Sequence, residues 1–346
     1  MTIKRTLVAC GALICLAVVG FFTLFAGYGI SQGFSVIAGL KNLISVNPAP
    51  VAANPSMRVL KGTSVTWLAD IKDYDLNESS GLTTSQMHPG VFWSINDSGH
   101  HAELFALGSD GATIARFDVD LPQPVDWEAM DSYTSDGSSY LVIGDTGDNL
   151  RWRPSVSIHI VPEPTRLIEV ADAERLNVAR TIVFSYPDGP RDSEALAVDR
   201  KRNRILILSK RHYPPELFSV PLDASGETEV ELVSVLNGFP RPTADSYYES
   251  PKNGRYRFMP SGMDVLGDRL LVVTYKPALM FDLTNLDRAP LLIPLPRLGQ
   301  REAISFGHND PSVAFISQER PRGVGSAHLF RVALGEGPGE VWQAPR

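Results

Sequence analysis

Apolar residues along most of this chain come in short runs closed by Gly, Pro, Asp or Asn, rather than at the three- and four-residue spacing of amphipathic helices. One stretch reads EALAV, RILILS, ELFSVPL and TEVELVSVL, a set of four runs rich in Leu, Ile and Val. Such runs between turn residues predict strands. Four further sets follow the same plan: SGLTT, VFWSI, ELFAL and TIARFDV; EAMDSY, YLVIG, VSIHIV and ARTIVFSY; GMDVL, RLLVVTY, ALMFDL and PLLIPL; AISF, VAFIS, HLFRVAL and EVWQA.

A short signature opens each set: SSGL at Ser79, WEAM at Trp127, SEAL at Ser193, PSGM at Pro260 and REAI at Arg301. Its second letter is Ser or Glu, at positions 80, 128, 194, 261 and 302, and its fourth is a large aliphatic. The intervals of 48, 66, 67 and 41 residues are the size of one four-stranded sheet. The fold class is therefore all-β, a β-propeller of five four-stranded blades, with six as the alternative if a long interval hides a degenerate unit. The run SVTWLADI, left over before the first set, is expected to pair with the last blade and close the ring.

The N-terminus breaks the pattern. Lys4 and Arg5 precede an apolar stretch from Thr6 to about Ile30, interrupted only by small residues and Tyr28, which predicts a helix and an export signal. Read as an uncleaved anchor, it ties the chain to the inner membrane with the propeller on the non-cytoplasmic side of the cell envelope. Read as a signal peptide cut after Ala26 or a nearby small residue, it leaves a periplasmic or secreted protein. The segment NPAPVAANPSM, residues 47–57, is a Pro/Ala-rich spacer. The organisation is thus 1–30 signal, 31–57 linker and 58–346 propeller.

Composition narrows the function. A net charge of −7 argues against a nucleic-acid partner, which would call for clustered Lys and Arg. Both cysteines, Cys10 and Cys15, lie in the N-terminal run, so the propeller has no thiol chemistry. No G-x-S-x-G, H-E-x-x-H, Walker A or dinucleotide fingerprint occurs.

In a propeller the start of each innermost strand and the loop after each second strand meet at one channel mouth. Glu128, Glu194 and Glu302 are then expected around the axis, with Glu78 near Ser80 and with Asp126 and Asp192 two residues from their glutamates. The second-strand loops are NDSGHH, GDTGDN, SKRHY, TYK and SQER. The first two supply Asn96, Asp97, Asp145, Asp148 and Asn149, the others Lys210, Arg211, Lys276 and Arg320. An oxygen-rich half suits a hard cation such as Ca²⁺, with Glu128, Glu194, Glu302, Asp97, Asp145 and Asp148 as candidate ligands. A cationic half suits a small anionic ligand. The Asp, Asn and Gly of these loops equally suit Asx-turns, and the recurrent Glu equally suits inter-blade hydrogen bonds. His100 and His101 with Glu103 are a weaker metal candidate, since neighbours on a strand face opposite ways, and Trp127 beside the mouth is a stacking or packing residue.

The motifs D-W-E-A (Asp126–Ala129), D-S-E-A-L (Asp192–Leu196) and E-S-S-G-L (Glu78–Leu82) resemble the signature of phytase-like and SdiA-regulated propellers. That resemblance implies a propeller, bound calcium and phosphomonoester cleavage. Three functions are open on the residues: binding of a small anion with a cation, metal-dependent hydrolysis of a phosphoester, ester or lactone, and a scaffold for envelope proteins.

Overall fold

The computed structural model describes residues 2–43, 51, 53, 54, 56–167, 174–249, 254–296, 299–320, 325–336 and 338–342. Five antiparallel blades form a β-propeller. Blade 1 comprises Ser79–Thr84, Val91–Asn96, Glu103–Gly108 and Thr113–Val119, from axis to rim. Blade 2 comprises Trp127–Ser135, Ser138–Asp145, Val156–Pro162 and Arg180–Phe184. Blade 3 comprises Ser193–Asp199, Arg204–Ser209, Glu216–Pro221 and Glu231–Val235, and blade 4 Pro260–Leu266, Arg269–Thr274, Ala278–Asp282 and Leu291–Ile293. Blade 5 comprises Arg301–Gly307, Asp310–Gln318 and Ala327–Ala333, and takes Ser64–Ile71 as its outer strand, so the ring closes as expected.

The continuous apolar runs follow from the ring, because each blade is covered on both faces. In Arg204–Ser209, Ile205 and Ile207 pack toward blade 2 while Leu206 and Leu208 pack toward blade 4. Five such clusters fill the five seams between neighbouring blades.

Two features differ from the reading of the sequence. EVWQA was expected as the outer strand of blade 5, yet Ser64–Ile71 holds that edge, and Pro338–Trp342 pairs instead with Met57–Leu60 on the outside of blade 4. The long intervals hold excursions rather than a sixth blade. Glu174–Leu176 adds in parallel to the rim of blade 1, Gly226–Glu227 to that of blade 2 and Met57–Leu60 to that of blade 4, which covers edges otherwise open to pairing.

The recurrent signature is a β-bulge. In all five innermost strands the ladder slips at its second letter, so Ser80, Glu128, Glu194, Ser261 and Glu302 are each the extra residue. The serines turn to the next blade, Ser80 donating to Trp127 O at 3.0 Å and Ser261 to Arg301 O at 2.8 Å. The glutamates turn into the channel. Below them the fourth letters, Leu82, Met130, Leu196, Met263 and Ile304, form an apolar neck around a void of about 10 Å³, room for about one water. The mouth above is therefore a blind cavity.

Before the ring, Thr2–Ser31 is a helix of 30 residues and Val36–Leu43 a second short one, within the stretch expected as linker. Among the described residues no helix is long and apolar enough to cross a membrane; described side chains begin at Leu16.

Candidate functional site

The cavity has a volume of about 620 Å³ and a charged wall. Asp97, Glu128, Glu194, Glu302 and Glu319 face Lys210, Arg211 and Arg257, with Asn149, Tyr256, Tyr275 and Gln300 between them. Five carboxylates thus share this wall with three bases.

One corner gathers three carboxylates. Asp97, at the end of the second strand of blade 1, meets Asp126 and Glu128, at the start of blade 2, with one oxygen of each within 4.8 Å of the others. Asp126 Oδ1 is buried and has no hydrogen-bond partner. Burial, then the charges of Asp97 and Asp192, push the Asp126 carboxyl up to about 8. Burial and the same Asp97 push Glu128 well above the usual carboxylate range. The GDTGDN loop closes over this corner through Gly147, where a Cβ would lie 2.4 Å from Asp126 Oδ2 and 2.7 Å from Glu128 Cγ.

The opposite wall is a hydrogen-bonded chain across blades 3, 4 and 5. Lys210 is ion-paired with Glu194 and donates to the Tyr275 hydroxyl at 3.0 Å, which donates in turn to Glu302 Oε1 at 2.9 Å. Arg211 Nε lies 2.7 Å from Asp192 Oδ2, and its Nη2 donates to Asn149 Oδ1. Arg257 is paired with Glu249 at 2.5 Å. Lys210 and Arg211, two of the four bases expected to greet an anion, thus already carry carboxylates. Burial and the charges of Glu302, Asp97 and Glu78 push Glu319 up to about 9.

The cavity wall gathers Asp97, Glu128, Glu194, Glu302, Asn149, Lys210 and Arg211 from the residues the sequence singled out. Asp145 and Asp148 lie behind it as fasteners. Asp145 accepts from the Val125 and Asp126 amides at 3.1 Å and pairs with Arg153 at 2.8 Å. Asp148 accepts from the Arg153 amide at 2.8 Å, and burial raises its carboxyl to about 6. Asn96 bridges Glu78 N and Asp75 O, and Arg320 donates to Ile71 O, Asp73 O and Gly325 O, binding blade 5 to the loop before blade 1. Glu78, 3.7 Å from His100, and Lys276 stand outside the wall. His100 does not meet Glu103, which turns to Arg116, and Trp127 is buried among the side chains of blades 1 and 2.

Sequence reasoning missed Glu319 and Tyr275, the residues immediately before Arg320 and Lys276. Sorting the loops by charge selects the bases, whereas the wall takes the first residue after the second strand in blades 1, 3, 4 and 5, namely Asp97, Lys210, Tyr275 and Glu319. Tyr256, Arg257 and Gln300 come from connections between blades, which the repeat does not mark.

No protein-family model matches the chain, and no curated protein sequence does. Among solved structures it is similar to a glutaminyl cyclase from Myxococcus xanthus, at 12% identity and a TM-score of 0.47 over 82% of this chain and 100% of that one. It is also similar to the PQQ-bound aldose sugar dehydrogenase of Streptomyces coelicolor, at 11% and 0.44 over 82% and 100%, and to a gluconolactonase from Xanthomonas campestris, at 13% and 0.41 over 84% and 100%. At these identities none of their chemistry is transferred to this chain.

Proposed function

We propose that the chain is a propeller of the cell envelope that binds one divalent cation at Asp97, Asp126 and Glu128, and beside it a small anionic ligand. The observation that carries this reading is the buried, partnerless Asp126 Oδ1 in a corner where three carboxylates converge. Like charges gathered out of water are costly unless a cation or protons relieve them. A bound Ca²⁺ would supply that charge and polarise an oxygen ligand. Because Lys210 and Arg211 are already paired, their pull on an anion is weak alone, and ligand binding should depend on the cation. Export is supported by Lys4 and Arg5 before the apolar stretch.

The test is calorimetric titration of the full chain in detergent with Ca²⁺, Mg²⁺ and Mn²⁺. One binding event, abolished by Asp126→Asn, is expected. Absence of heat with every ion would leave the corner as hydrogen-bonded scaffolding.

A second reading, metal-dependent hydrolysis of a phosphoester, ester or lactone in the phytase-like manner, is favoured by Glu319. A carboxyl that keeps its proton at neutral pH, on the wall of the same cavity, is what a general acid requires. Cation-dependent turnover lost in Glu319→Gln would establish it, and binding without turnover would exclude it.

A further inference from the structure

The N-terminal hairpin and the cavity rim are one piece of structure. Trp152 lies three residues beyond Asn149 of the cavity wall, so their Cα atoms are within about 11 Å. The hairpin encloses the Trp152 ring: Phe25 stacks on it at 4.7 Å between centroids, and Phe34 and Tyr28 approach to 5.5 and 6.1 Å. Gly39 makes the notch, since a Cβ there would lie 2.5 Å from Trp152 Cε3. Ser35 N donates to Trp152 O at 2.8 Å, and Asn42 Nδ2 to Leu150 O at 3.0 Å.

The outer side of the hairpin is apolar and uncovered. Leu16, Val19, Leu24, Ile30 and Ile37 are between 62% and 82% exposed. A patch of this kind marks an interaction surface. Residues 2–43 include no Asp or Glu, whereas Lys4, Arg5 and Lys41 are basic. Lys41 follows Ile37 by one turn of the short helix, an apolar and basic pairing that suits the boundary of an anionic bilayer.

We infer that the hairpin rests in an anionic lipid surface, that the cavity mouth is thereby held against that surface, and that the anion it receives is a phospholipid headgroup. The ligand clause rests on the cation and anion reading above; the orientation rests on the hairpin alone.

The test uses the full-length chain with Cys10 and Cys15 replaced by Ser and a fluorescent label at one new cysteine. Tyr248→Cys places the label on the mouth face and Ser138→Cys on the far face, both exposed. In vesicles of 70% phosphatidylcholine and 30% phosphatidylglycerol, with nitroxide on the headgroup, quenching at 248 is expected to exceed that at 138 several-fold. Equal quenching, stronger quenching at 138, or a dimer that ignores vesicles overturns the orientation. In nanodiscs with Ca²⁺, phosphatidylglycerol is expected to raise the melting temperature above that in phosphatidylcholine alone. Asp126→Asn is expected to lose that gain while keeping the quenching contrast. The same gain from millimolar inorganic phosphate in phosphatidylcholine discs would make the ligand a free anion and overturn the lipid source. Calcium binding without a quenching contrast overturns the orientation and spares the cation site.

Discussion

Asp126 sits where its own charge is unwelcome, and that has a consequence for stability. With its carboxyl raised to about 8, the folded state holds this proton more tightly than the unfolded chain, whose value is near 3.8. The folded state therefore binds more protons between about pH 4 and pH 8, so this contribution to stability is full below pH 4 and is lost as pH rises toward 8. Glu319 acts in the same direction and extends the loss toward pH 9. In metal-free solution Asp126→Asn should accordingly stabilise the protein at pH 8 by at least about 1.4 kcal/mol, the worth of one pKa unit, and change little at pH 4. Chemical denaturation at the two pH values checks this; equal effects at both would refute the raised carboxyl. The motif DWEA made Glu128 legible because the repeat marks it. Asp126 was legible only as a neighbour, since the loop of Gly147 that seals it has no counterpart in the other blades. Asp145 and Asp148 look like ligands in sequence, and the structure sets them behind the wall: Asp145 pairs with Arg153 and accepts from backbone amides, while Asp148 accepts from the Arg153 amide and keeps Oδ1 buried without a hydrogen-bond partner.

At the scale of elements, the bulge explains why one signature serves two roles. It lifts its extra residue out of the ladder, and the side chain then decides: a serine reaches the next backbone, while a glutamate reaches the axis. The small third letter follows from the close passage of neighbouring innermost strands. At Gly262 a Cβ would lie 2.8 Å from both Ala303 Cα and Glu302 O. Gly262→Ala should destabilise the propeller by roughly 1 to 3 kcal/mol, as overpacking does, read as a fall in denaturant midpoint. No change would mean that blades 4 and 5 can separate freely there. Short strands with two apolar faces were readable because burial on both sides imposes runs such as RILILS. The last strand was not, since EVWQA and SVTWLADI carry the same kind of pattern and only the ring decides which one holds the edge of blade 5.

For the whole molecule, closure joins residues far apart in sequence, with Ser64–Ile71 zipped along Ala327–Ala333. Deleting residues through 71 exposes that strand edge and opens the ring, so cooperative unfolding should give way to aggregation or a broad transition. Deleting only through 43 leaves all five blades paired and should preserve the cooperative transition while exposing Trp152, seen as a red-shifted, more quenchable emission. The ring and the convergence of glutamates on one mouth were set by the repeat and the closure by the run left over before it, whereas the paired bases opposite them depend on contacts among three blades. The most direct measurement of the central claim is an anomalous-difference map from crystals soaked in Mn²⁺ near neutral pH. A peak within about 2.0 to 2.6 Å of oxygens from Asp97, Asp126 and Glu128 is expected. Full occupancy of some other site with no peak in this corner, or an ordered amide or lysine found satisfying Asp126 Oδ1, would contradict it.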